Sequence, residues 1–269
     1  MTFDEEYFNI GYLDRLSYRD SVVHRLDPRG KVIATMIFVI TVISYPKYEV
    51  ISLVPFFIFP VLLITLSGTP FKFVLKKMLV VSPFAVFIGI FNPLFDTRAV
   101  TLADGVLISA GWISFLSLLI KFTLTISSAL LLTATTSFPG ICTALQRLGV
   151  PAPFTSQLFF LYRYIFVLME EAMRIVRARD MRSFGSRGTG IKVFVRLIGI
   201  LFVRTVERAE RIYNAMLSRG FRGHIPSMRQ FRFTISDAIF VVLTIAFLSA
   251  LRFFNITEMI GRFVQELAV

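Results

Sequence analysis

Cys142, His24 and His224 are the only cysteine and histidines in 269 residues. A single cysteine excludes an internal disulfide and a Cys-rich zinc site. Neither histidine has a Cys or carboxylate cluster beside it, so a transition-metal site is poorly supplied and no cofactor is expected. Acidic residues are also few: 17 Asp and Glu stand against 29 Lys and Arg, a formal net charge of +12. The phosphate-cradling pattern G-x-x-x-x-G-K-S/T is absent, so ATP chemistry would belong to another chain. Gly185-Ser186-Arg187-Gly188-Thr189-Gly190 is glycine-rich without the Lys-Ser/Thr end and reads as a turn between helices. The first thirty residues carry many charges and no apolar segment of the kind a cleaved signal peptide needs.

Apolar residues, in contrast, make up 55% of the chain, and mean hydropathy is +0.72. Soluble domains are roughly 45–50% apolar. A basic, greasy chain with only 17% charged residues reads as a polytopic membrane protein, all-α, rather than a nucleic-acid binder. A spanning helix needs about 17–25 mainly apolar residues. Five runs qualify: Val32 to Tyr45 with its neighbours, Val50 to Leu66, Met78 to Phe95, Gly105 to Thr136 and Ile235 to Phe254. Pro55, Pro60 and Pro83 fall inside them, where neighbouring groups can satisfy the freed carbonyls. Of the 30 phenylalanines, 14 lie in these runs, and they read as packing and lipid-facing residues. Lys121 is the one ionisable residue deep in the fourth run and reads as a packed or snorkelling lysine rather than an ion-pathway residue.

The charges between runs alternate. His24, Arg25, Arg29 and Lys31 precede the first, and Lys72, Lys76 and Lys77 lie between the second and third. Most arginines lie between Gln146 and Arg232. The opposite side carries Lys47 with Glu49, then Asp96, Arg98 and Asp104, then a mixed C-terminal tail. The positive-inside rule places the N terminus inside and the C terminus outside a bacterial or archaeal plasma membrane, which agrees with an odd number of spans. The chain divides into an N-terminal cytoplasmic segment (1–30), spans one to four (31–137), a cytoplasmic domain (138–234) and a last span with its tail (235–269).

The 138–234 region has a different pattern. Ser137-Phe138-Pro139-Gly140 signals a turn. A short amphipathic piece, Ile141 to Leu148, ends at Gly149-Val150-Pro151. Leu158, Leu161, Tyr162, Ile165, Phe166, Leu168 and Met169 give helical spacing to a long stretch from Thr155 to Phe184. A second long helix is predicted from Ile191 to Arg219, stopped by Gly220 and Gly223. The two helices end in copies of one pattern, 37 residues apart. Glu170, Ala172, Arg174, Ile175, Ala178, Arg182 and Phe184 match Glu207, Ala209, Arg211, Ile212, Ala215, Arg219 and Phe221. The helix dipole favours an arginine at a C terminus, and lipid headgroups attract cytoplasmic arginines. Neither explains the matched alanines, which let another helix or groove approach, nor guanidinium groups placed to make bidentate pairs with partner carboxylates.

These residues resemble the transmembrane T component of energy-coupling factor (ECF) transporters, ABC-type importers of vitamins and transition metals. The resemblance covers most of the chain. It rests on His24-Arg25-Leu26-Asp27-Pro28-Arg29-Gly30-Lys31, Asn92-Pro93-Leu94-Phe95-Asp96, Thr135-Thr136-Ser137, Ala144-Leu145-Gln146-Arg147-Leu148-Gly149-Val150-Pro151 and the duplicated pattern. The segment Tyr12-Leu13-Asp14-Arg15-Leu16-Ser17-Tyr18-Arg19-Asp20-Ser21 is similar to the cobalt/nickel branch, often called CbiQ. The resemblance implies two coupling helices, each ending in an Ala-Arg-Gly-type motif docked on one of two ATP-binding cassette ATPase subunits. It also implies a separate membrane S component that holds the metal. Ser218-Arg219-Gly220, with Ala215 before it, is close to the family form. In the first helix two triplets fit, Ala178-Arg179-Asp180 and Met181-Arg182-Ser183. Neither has the glycine, and the internal repeat ranks Arg182 above Arg179.

The chain itself is then expected to be non-catalytic. A T component of a vitamin importer is the nearest alternative. A membrane-embedded lipid-modifying enzyme needs a carboxylate-rich or His/Asp/Glu motif, for which Asp96 and Asp104 are the nearest candidates. A self-sufficient secondary transporter predicts inverted hydrophobic repeats, whereas the one clear repeat here is basic.

Overall fold

A computed structural model describes residues 16–95, 99–101, 107–182, 190–223 and 233–253. Several residues singled out above lie outside these: Tyr12 to Arg15, Asp96, Arg98, Asp104, Ser183 to Thr189, His224 and the C-terminal tail. The protein is an all-α polytopic membrane protein. Its one β feature among the described residues is a short antiparallel pair, β1 (Ala99–Thr101) with β2 (Leu107–Ser109), in the register Ala99 to Ser109. The chain forms two compact units, with boundaries at Ser137/Phe138 and Gln230/Phe231.

In the membrane unit, α1 (Val22–Arg25) is capped by Ser21, and α2 (Pro28–Ile43) by Asp27, whose carboxylate accepts from the Arg29 amide at 2.8 Å. Pro28 follows the cap at a position where no amide proton is needed. Next comes a 3₁₀ helix (Ile51–Phe57) that continues into α3 (Ile58–Ser67). Then follow α4 (Phe71–Gly89), α5 (Phe91–Phe95), α6 (Ala110–Thr135) and, after the second unit, α10 (Ile235–Phe253). Helix α6 is the hub, packing against α2, α3, α4 and α5. Its buried Ser114, Ser117, Ser127 and Ser128 let neighbours approach closely. Phe38 of α2 stacks on Phe59 at 4.4 Å, with Leu53, Phe56, Leu124, Leu131 and Leu248 around them.

Among the described residues, three segments are long and apolar enough to cross a membrane: Phe71–Leu94, Ala110–Thr135 and Ile235–Phe253. The other two expected spans form shorter helices. The Ile51–Ser67 segment gains reach from its 3₁₀ part, whose larger rise brings it to about 29 Å, near the thickness of a hydrocarbon core. Pro55 lies within that 3₁₀ part, and Pro60 falls in the first turn of α3. Pro83 leaves α4 unbroken. The Leu79 carbonyl that it cannot bond receives the Ser82 hydroxyl at 3.1 Å.

Two boundaries differ from the sequence reading. The third apolar helix starts at Phe71, not Met78, so Lys72, Lys76 and Lys77 lie in its first two turns rather than in a loop. Gly68, at φ +64, ends α3 abruptly, and the turn needs only Thr69 and Pro70 before α4 begins. Long lysine stems let the ammonium groups reach polar surroundings from inside a helix. The fourth helix starts at Ala110 rather than Gly105, because Leu107–Ser109 is taken up by β2.

The second unit contains α7 (Phe138–Arg147), α8 (Ala152–Arg182) and α9 (Ile191–Ser218). Helix α7 packs on α8, with Phe138 stacked on Tyr162 at 4.7 Å. Cys142 is fully buried there, and burial pushes its thiol up to about 11.

Candidate docking surface on a crossed helix pair

Helices α8 and α9 run antiparallel and meet near their midpoints. Arg204 of α9 donates to Glu171 of α8 at 2.6 Å, and Arg174 stands 3.9 Å from the same carboxylate. Toward one end, Ala178, Arg179 and Arg182 of α8 share a groove with Val193, Arg196 and Leu197 of α9. Toward the other, Phe160, Leu161 and Tyr164 of α8 share a groove with Ala209, Ile212, Tyr213 and Phe221. Phe160 meets Phe221 edge-on at 6.3 Å, and the Ser156 hydroxyl donates to the Gly223 carbonyl at 3.2 Å.

The two copies of the repeat therefore end at opposite ends of the pair. Helix α8 has 31 residues. At 1.5 Å per residue, the Arg182 and Arg219 ends stand on the order of 40 Å apart. The grooves correspond through the repeat, since Ile175 lines one and Ile212 the other. Their chemistry differs. The Arg182 end carries Arg174, Arg179, Arg196 and Arg204, whereas the Arg219 end is mostly aromatic and aliphatic.

The Arg219 end shows why the motif needs its glycine. Arg219 is the C-cap of α9, and Gly220 follows at φ +78. The Gly220 amide donates to Leu217 at 2.9 Å and the Phe221 amide to Met216 at 3.0 Å. These are the two bonds of a Schellman ending, which requires a left-handed residue after the cap. The chain thus turns away directly after Arg219 and leaves that side chain exposed on the helix tip.

At the other end, Arg179 is half-buried and ion-paired with Asp180, the next residue. Arg182 is exposed and ends α8, with no ion pair to another described residue. Ala178 borders the arginine-lined groove, and Ala215 borders the cleft at the crossing beside Leu168, Glu171 and Arg174. Ala178 is half-buried and Ala215 is exposed, so each leaves space on its groove wall. Sequence reasoning missed Glu171, Arg196 and Arg204. For Glu171 and Arg204 the signal is opposite charge near the midpoints of two helices of similar length.

Among the described residues, no group of three or more His, Cys, Asp or Glu gathers in a way that suits a metal ion. Lys121 is packed, its Nζ donating to the Tyr45 carbonyl at 2.6 Å.

Comparison with known proteins follows the same lines. A family model described as "CbiQ: Cobalt transport protein" matches residues 19–230. The "Energy-coupling factor transporter transmembrane protein EcfT" of Ruminiclostridium cellulolyticum is 29% identical over 249 residues, covering 86% of this chain and 91% of that one. The protein of the same name from Bacillus selenitireducens is 30% identical over 251 residues, covering 86% and 92%. A "Putative fused cobalt transport protein CbiMQ" of Methanocorpusculum labreanum is 37% identical over 93 residues, 34% of this chain and 16% of that one. With the family match spanning most of its length, the chain belongs to the EcfT/CbiQ family of transmembrane T components of energy-coupling factor transporters.

Proposed function

We propose that this chain couples ATP hydrolysis by two partner ABC ATPase subunits to substrate uptake through a separate membrane S component. The observation that carries this reading is the antiparallel pair α8/α9, with repeated arginine-bearing ends held far apart at opposite ends. Each end, Ala178/Arg179/Arg182 and Ala215/Arg219/Gly220, seats one ATPase through charge-assisted bonds to carboxylates. Closure of the ATPases on ATP then displaces the two ends together, and the membrane unit passes the motion on. The positive-inside bias puts the N terminus and the helix pair in the cytoplasm of the cell that houses this plasma-membrane protein.

Cobalt(II) is the proposed cargo, with nickel(II) next, supported by the family description and by the CbiMQ relative. The metal is substrate and is held by the S component; this chain carries no catalytic residue.

Affinity purification in mild detergent tests the assembly. The wild-type chain should bring down two ATPase subunits and a membrane S component. The Arg182→Glu/Arg219→Glu double variant should lose the ATPases while the chain stays folded in the membrane. An unchanged ATPase yield from that variant rejects the docking role. Uptake of cobalt(II) against nickel(II) by the intact complex decides the cargo.

A further inference from the structure

The segment His24–Lys31 is built for more than starting α2. Lys31, only 4% exposed, donates from Nζ to the Thr135 carbonyl at 2.8 Å. Thr135 is the last residue of α6, where carbonyls have no partner within the helix and a cation suits the dipole. The His24 ring meets the Ser21 hydroxyl at 2.7 Å and the Leu16 carbonyl at 3.0 Å, with the Ala134 carbonyl nearby. Two residues after Thr135, the chain passes from the membrane unit to the helix-pair unit.

The return passage is fastened to the same segment. On its return to the membrane unit the described chain resumes at Phe233, and α10 starts at Ile235. Asp237 is 2% exposed. Its Oδ2 accepts from the Thr234 amide at 2.7 Å, and its Oδ1 accepts from the Asp27 amide, also at 2.7 Å. Gly30 lets the two helices close: a Cβ there would stand 3.4 Å from Val241 Cγ2 and 3.7 Å from the Asp237 carbonyl oxygen.

We propose that His24–Lys31 is a collar. It clamps the outgoing passage through Lys31 and the incoming passage through Asp27 and Asp237, so that a pull on either passage moves α2, α6 and α10 as one body. Lys31 and Asp237 are positioning residues for energy coupling. This assignment rests on the reading in the previous subsection for its use, but not for its mechanics.

The mechanics are tested first, on the full chain in lipid nanodiscs by amide hydrogen exchange. Lys31→Met should speed exchange at residues 131–137 and also at 234–237, and Asp237→Asn should do the same from the other side. Changes confined to the mutated residue's own passage overturn the collar, whatever the fate of the ATPase reading. Coupling is tested next, on the complex with its ATPases and S component in proteoliposomes. Lys31→Met should keep ATP hydrolysis within about twofold while cobalt(II) taken up per ATP falls by about fivefold or more. A parallel fall of hydrolysis and uptake, or no change in their ratio, overturns the coupling role. Should Lys31→Met not assemble, Asp237→Asn is judged by the same criterion, and Lys31→Arg should restore the ratio.

Discussion

The Glu171 carboxylate binds Arg204 across the α8/α9 crossing at 2.6 Å, with Arg174 close behind on the same carboxylate. This is the point about which the two long helices are held. The Arg204 side chain is 57% exposed, so solvent screens the pair, which contributes about 0.5–1 kcal/mol. Glu171→Lys replaces attraction by repulsion from two arginines. It should lower the apparent melting temperature of the purified protein by about 2–4 °C. Arg204→Glu added to that background should recover much of the loss, because the pair is then reversed rather than broken. A Glu171→Lys protein that melts like the wild type would remove the crossing from this role.

Gly220 offers a cleaner test of the helix tip. Its φ is +78, and a Cβ there meets nothing within 4 Å, so the cost of a side chain is purely conformational. Gly220→Ala should destabilise the α9 ending by about 1–2 kcal/mol, and Gly220→Asn by less. Thermal unfolding of the purified variants checks the order. If the turn also aims Arg219, ATPase yield in pull-down should follow the same order, wild type above Asn above Ala.

Local features of this fold could be read from the sequence because they depend on neighbours in the chain. The apolar runs and the glycine stop after Arg219 depend on residues within a few positions. The caps at Ser21 and Asp27-Pro28 are equally local, and the structure adds them to the sequence reading. Reading failed where a composition rule had no local boundary. Hydropathy puts Lys72, Lys76 and Lys77 between two apolar runs, yet the Gly68–Pro70 turn brings them into α4. It failed also where partners are distant. Nothing in the order of residues shows that Asp27 meets Asp237, that Lys31 meets Thr135, or that Arg204 meets Glu171. The tips themselves were legible, since a repeat is visible in sequence; their separation was not, because it follows from the antiparallel crossing.

His24 gives the fold a dependence on pH. Burial is the first cause that lowers its basicity below the ordinary value of 6.5, with Lys31 and Arg19 adding to it against the opposing Leu16 and Ala134 carbonyls. The unfolded chain therefore binds a proton at higher pH than the folded one. Stability is undiminished above about pH 6.5 and declines as pH falls from there through the folded-state value. Melting temperature measured from pH 7.5 down to 5.5 should fall. His24→Gln should flatten that decline. An unchanged slope in the variant would move the pH response to another group.

Lys121 separates stability from transport. Its ammonium closes the end of α2 by holding the Tyr45 carbonyl. Tyr45 in turn donates its hydroxyl to the Leu251 carbonyl at 3.2 Å and lies 4.5 Å beneath the Arg252 guanidinium. Lys121→Met keeps the length of the stem and removes the donor. A carbonyl left without its partner in this setting costs about 1–3 kcal/mol, so the variant should melt earlier. Uptake by the complex, normalised to folded protein, should stay near the wild-type value, since the ammonium is spent on a backbone group. The opposite pattern, uptake lost at unchanged melting temperature, would identify Lys121 as part of an ion pathway, the usual role of an ionisable residue at such a depth.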